Sequence, residues 1–214
     1  MMKAIQRVII VAISMIMTGV GASMALKAAV GVGAWDALSQ SISGVIDMKV
    51  GTFSMMMNIS CVLIQLFLLK KEFKLKTLTQ ILVAILLGYV VNFMFYDVFA
   101  RFTIHSYWAN IVLLIVSCVI CAGAVSMIMT INLITFPLES CCMVISKKIN
   151  KNFGAIRQFV DILSIVVALG VSFFFNQCIT VREGTVIMML LFGPLLNVFM
   201  KMMIPRLKKV GLID

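Results

Sequence analysis

Asp36 and Glu139 are two of only eight acids in this 214-residue chain. Each follows an interruption in a long apolar run, and the two stand at matching places 103 residues apart. A carboxylate held at such a break can bind a cation or exchange a proton, because irregular backbone among apolar helices survives only where it lines a cavity. Asn58 and Asp161 form a second polar pair at the same offset, and Trp35 stands beside Asp36. Together, Asp36, Glu139, Asn58, Asp161 and Trp35 are the candidate substrate-binding set.

Other chemistries find little support. Hydrolysis or group transfer needs a nucleophile with a base, or paired carboxylates around a metal. The single histidine, His105, lies beside Tyr107 and Trp108, where an interfacial aromatic belt is expected. Cys118-Val-Ile-Cys121 has redox spacing, but its neighbours are Ile, Val, Ser and Ala, a setting that does not hold a thiolate. Vicinal Cys141 and Cys142, just after Glu139, are the one thiol pair open to a soft metal, although buried apolar packing is the expected role. The methionines of Met55-Met56-Met57 point around a helix rather than at one site. No enzyme, metal or cofactor is therefore expected.

The elements that must position these residues are transmembrane helices. Hydrophobic residues make up 63% of the chain and charged ones 12%, far from the balance of a soluble domain. Six windows, about 8–30, 51–69, 78–100, 108–131, 158–176 and 184–204, are long enough to cross a hydrocarbon layer about 30 Å thick. The first could be mistaken for a cleaved secretory leader. Its apolar run reaches Val30, longer than a leader core, and its counterpart lies mid-chain, so it reads as the first span.

A net charge of +10 suggests nucleic acid until the basic residues are placed. Fourteen of them lie before span one, after spans two and four, or at the end of span six. Only Lys27, Lys49, Arg101 and Arg182 fall on the other side. This positive-inside pattern predicts a plasma-membrane protein with both termini in the cytoplasm. The bilayer is the partner of these charges, and no nucleic-acid partner is expected.

The halves look like copies. Ser14, Ser23, Met24, Ile42, Ser43, Ile46, Gly51 and Ile59 are repeated as Ser117, Ser126, Met127, Ile145, Ser146, Ile149, Gly154 and Ile162. Eight identities over about 48 positions is a faint signal, but a repeat of three spans inserts its second copy upside down, the plan of many small transporters. The expected fold is all-α, one membrane domain over 1–214, with repeat A at about 8–100 and repeat B at about 108–204. After spans one and four, a break (Gly31 and Gly33; Pro137) leads to a short amphipathic helix, re-entrant or interfacial, and Gly51 or Gly154 opens the next span. If those helices are interfacial, Asp36 and Glu139 are simple N-caps.

Lesser pairs follow the same logic. Arg157 lies four residues before Asp161 and can pair with it, as can Asp97 with Arg101. Lys27 can snorkel outward or face Asp36. Gly88 and Asn92 are repeated as Gly193 and Asn197, which suggests close helix packing, and Pro194 should open the hydrogen-bond ladder of span six.

At Gly19, Gly21 and Gly31-Val-Gly33-Ala-Trp35-Asp36-Ala-Leu38, followed by Gly51, the chain resembles the YczE/YyaS/YitT-type bacterial membrane proteins, with Ala34 where that stretch has proline. The resemblance implies a multi-span plasma-membrane protein and transfers no catalytic residue. The functional expectation is a small secondary transporter or exporter of an unidentified solute, acting as a monomer or homodimer. The rivals are a substrate-binding subunit of a vitamin importer and an accessory membrane protein without transport activity.

Overall fold

The computed structural model describes residues 2–73 and 75–213. Lys74, counted above for orientation, lies outside them, as do the side chains of Lys71 and Lys76. Among the described residues eight α-helices follow one another: α1 Met2–Ala28, α2 Ala34–Val45, α3 Val50–Leu69, α4 Thr79–Asn92, α5 Tyr107–Ile131, α6 Pro137–Lys148, α7 Phe153–Phe174 and α8 Glu183–Lys209. A π-helical segment, Phe93–Val98, prolongs α4. There is no strand among the described residues. Six helices among the described residues are long and apolar enough to cross a membrane, whereas α2 and α6, at 12 residues each, are too short. Phe173 and Phe174 on α7 are 83% and 82% exposed, as suits a surface that meets lipid rather than water.

The duplication is plain in the backbone. α1 ends at Ala28 and α5 at Ile131, α2 covers Ala34–Val45 and α6 Pro137–Lys148, and α3 and α7 begin at Val50 and Phe153, all at the same offset of 103. Left-handed residues recur with them. Ala29 (φ 54°) and Asn132 (φ 51°) stop the first helix of each half, and Asp47 and Asn150 (both φ 52°) turn the short helix into the next span. In those second turns Met48 N donates to Ser43 O (2.9 Å) and Lys151 N to Ser146 O (3.0 Å), the long-loop bond of a Schellman ending. Only the first breaks differ in chemistry. Gly31 has φ +111°, and a Cβ there would lie 2.7 Å from Thr185 N, so glycine is required; half B uses Pro137 at the first turn of α6.

Side chains repeat the pattern across helices. Ser23 Oγ donates to Gly19 O (2.8 Å) within α1 and lies 3.3 Å from Val91 O on α4. Ser126 Oγ makes the corresponding contacts to Ala122 O (2.5 Å) and to Leu196 O on α8 (3.0 Å). Cys121 Sγ reaches Thr18 O at 3.6 Å, and these two residues are themselves 103 apart. A residue that touches its own repeat equivalent lies near the axis relating the copies. The α1–α5 crossing at Thr18 and Cys121 therefore marks that axis.

The packing exchanges parts between halves: α2 lies against α7, and α6 against α3. The second contact is held by a buried amide network. Gln65 Nε2 donates to Gln80 Oε1 (3.0 Å) and Pro137 O (3.2 Å), Ser140 Oγ donates to Gln65 Oε1 (2.9 Å), and Gln80 Nε2 reaches Ser140 Oγ (3.0 Å). Gln65→Leu would strand these partners, so it is expected to cost about 1–3 kcal/mol, read as a lowered unfolding midpoint of the purified protein in detergent.

Among the lesser pairs, one sequence expectation fails. Asp97 and Arg101 form no ion pair among the described residues; the π-helical turn at Phe93–Val98 disturbs the four-residue spacing that pairing needs. Lys27 does not face Asp36, since its ammonium donates to Ala100 O (3.3 Å). Helix α8 continues through both Pro194 and Pro205, and its ladder lacks a donor at each, as expected at Pro194.

Candidate functional site

Both short helices begin at one cavity of about 640 Å³, within the range of small-molecule sites. Asp36, Trp35, Glu139, Asn58 and Asp161 all line it, together with Gly33 and Gly154, whereas Gly31, Gly51 and Pro137 do not. Neither acid is an N-cap. Gly33 and Phe136 hold the cap positions without side-chain caps, and Asp36 and Glu139 fall in the first turn. There the free backbone N–H groups of a helix start favour negative charge, which helps to keep carboxylates at the wall. Asn58 is buried and anchored through Nδ2 to Ser54 O at 2.9 Å.

The four charges around the cavity are unequally satisfied. Arg157 binds Asp161 directly on α7 and approaches Glu139 to 3.9 Å, so one guanidinium ties α7 to the start of α6. The Asp36 carboxylate has neither a salt bridge nor a hydrogen bond among the described residues. Burial pushes its carboxyl up to about 6, Arg157 works against that, and Asp161 and Glu139 add to it. The indole Nε1 of Trp35 is likewise buried without a partner.

The walls break the symmetry of the fold. In half A, Gly51 N donates to Asn92 Oδ1 (2.9 Å), Asn92 Nδ2 donates to Thr52 Oγ1 (2.8 Å), and Val50 N donates to the Tyr96 hydroxyl (3.2 Å). The glycine backbones meet: a Cβ on Gly88 would lie 2.5 Å from Gly51 O, and one on Gly51 would collide with Gly88 O. The small residues and the amide thus clamp α3 onto α4. In half B the matching residues are Gly154, Gly193 and Asn197, and they make no such clamp. Gly154 N donates to Asn152 Oδ1 (2.7 Å), nothing lies within 4 Å of a Cβ on Gly193, and α7 and α8 share no packed interface. All three line the cavity.

A family described as "Family of unknown function (DUF6198)" matches residues 5–201, which include every cavity residue named above. The chain belongs to the DUF6198 family. Neither a curated protein nor a solved structure matches it.

Part of the site in this DUF6198 protein escaped the sequence reading. Gly193 and Asn197 were expected to pack helix on helix, as their counterparts Gly88 and Asn92 do. Their position 105 residues on was legible, but their place at an open wall was not. Phe136 and Phe153 also line the cavity. They sit where α6 and α7 begin, and their half-A counterparts Gly33 and Val50 are not aromatic, so no repeated signal marked them. Thr18 and Cys121 fall at the repeat offset without sharing a residue type, so identity searching passes over them.

Proposed function

We propose that this protein is a small secondary transporter of the plasma membrane that works by alternating access, with the cavity between the repeats as its solute site. The observation that carries the reading is the unequal pair of clamps: one twin is shut and the other stands open on the cavity. Two copies of one unit in different states are what a rocking pair of inverted repeats presents in any single conformation. The distribution of basic residues supports an orientation with both termini in the cytoplasm, so that the closed α3–α4 clamp is external and the α7–α8 gap opens inward. The resemblance to YczE/YyaS/YitT-type proteins is consistent with this location and adds nothing on the solute.

The test is a reversible cross-link. In a chain carrying Cys178→Ser, which removes the one exposed native thiol, Gly154→Cys and Gly193→Cys are introduced and the protein is reconstituted in proteoliposomes. Oxidation or a short bifunctional thiol reagent is expected to join α7 to α8 and stop solute flux across a panel of small solutes. Reduction of the disulfide should restore it. Undiminished flux in the cross-linked protein would defeat the reading.

A further inference from the structure

The ligand-facing charge of the cavity opposes the charge of the chain. The protein carries 18 basic and 8 acidic residues, yet three of the acids and one of the bases, Arg157, line the cavity. Three minus one leaves a net charge of −2 in the wall of a molecule whose net charge is +10. Positive-inside topology explains where the bases went; it does not explain why the acids gathered here. Glu139 and Asp161 share Arg157, and Asp36 is left without an ion pair among the described residues. Desolvating an unpaired carboxylate is costly, so the position asks for a cation that arrives from outside the chain.

The rest of the lining defines that cation. Bare metal ions want several oxygen ligands converging at 2–2.6 Å, and no group of three or more potential metal-ligating acids, histidines or cysteines occurs among the described residues. The volume of about 640 Å³ is that of an organic molecule. Trp35, Phe136 and Phe153 line the space, and aromatic faces attract a positive centre while burying an apolar body.

We propose that the cavity binds a lipophilic organic cation, an onium or protonated amine with an apolar body, whose charge sits against Asp36 and whose body lies among Trp35, Phe136 and Phe153. The inference rests on the transport reading for what happens after binding, but binding itself is measurable without flux. Arg157 keeps Glu139 and Asp161 engaged, so Asp36 is the anchor. The groups acting on its charge are Arg157, Asp161 and Glu139, with the Cys121 thiol also close. Because burial holds the carboxyl near 6, cation binding should be strong at neutral pH and fade as pH falls through about 6, where Asp36 takes up a proton.

The experiment uses the full chain purified in detergent, titrated calorimetrically with tetraphenylphosphonium and, in parallel, with tetraphenylborate, an anion of nearly the same shape. Empty micelles provide the blank. The expected result is saturable binding of the cation, at least tenfold weaker binding of the anion, and at least a tenfold loss of cation affinity in Asp36→Asn. Asp97→Asn, an acid outside the cavity lining, should bind as the parent does, which separates a local loss from poor folding. Wild-type affinity should fall between pH 7 and pH 5, and that of Asp36→Asn should stay flat. Equal binding of the two ions, or an unchanged Asp36→Asn, would overturn the inference while leaving the α7–α8 cross-link result untouched. Cation binding together with undiminished flux in the cross-linked protein would uphold the site and remove the transport cycle.

Discussion

Gly51→Ala and Gly154→Ala are expected to stop transport from opposite sides. One methyl on Gly51 enters the space of Gly88 O and of Asn92 Oδ1, 2.6 Å away, and therefore opposes the conformation described here. One methyl on Gly154 meets only Asn152 Oδ1 at 3.2 Å and leaves this conformation intact. Its obstruction appears only when α7 closes on α8 and Gly154 takes the place that Gly51 now holds. Overpacking of this kind costs about 1–3 kcal/mol, and since about 1.4 kcal/mol is tenfold, the conformational balance should shift by roughly 10- to 100-fold in each variant.

The signs are opposite, and that is what makes the pair decisive. A membrane-impermeant maleimide applied to Asn197→Cys from the cytoplasmic face should react readily in the Gly154→Ala background, where the inner gap is held open. In the Gly51→Ala background the same site should be protected, because relief of the outer collision favours closure of the inner one. Flux should fall in both. A Gly154→Ala protein with full flux, or both variants shifting Asn197→Cys in the same direction, would mean that the two clamps are not twin gates.

The sequence foresaw the architecture better than the asymmetry, for a physical reason. Spans and breaks are written in local features: apolar run length, and Gly31, Gly33 and Pro137. The repeat was faint as residue identity because most positions need only be apolar, and Val, Ile, Leu and Met exchange freely in lipid. It is sharp as geometry because backbone turns at Ala29 and Asn132, or at Asp47 and Asn150, follow from chain reversal rather than from residue type. The state of each half could not be read at all. Gly51 and Gly154 are the same letter in the same context, and only the placement of α4 and α8 separates a shut clamp from an open one. Likewise the i, i+4 spacing announced the pairing of Arg157 with Asp161, but not the approach of Glu139, which depends on how α6 packs against α7 within half B.

That third partner leads to the other large effect. Arg157→Gln should destabilise the protein by about 1–3 kcal/mol, between the loss expected for an exposed pair and that for a fully buried one. The side chains of Arg157, Glu139 and Asp161 are 24%, 18% and 19% exposed, so water relieves only part of the cost of leaving two carboxylates in the wall beside Asp36. An exposed helical pair four residues apart would lose only about 0.3–0.5 kcal/mol on the same change. Asp161→Asn in addition to Arg157→Gln removes one of the uncompensated charges, and the double variant should regain a substantial part of the lost stability, measured by thermal unfolding in detergent. Adding Glu139→Gln should regain more. Stability unaffected by Arg157→Gln would reduce the guanidinium to a solvated surface charge, and the claim that it holds α6 to α7 would go with it. If instead the double and triple variants recover stability but bind cations no better than the parent, Arg157 is a positioning residue: it occupies two carboxylates so that the third stays free.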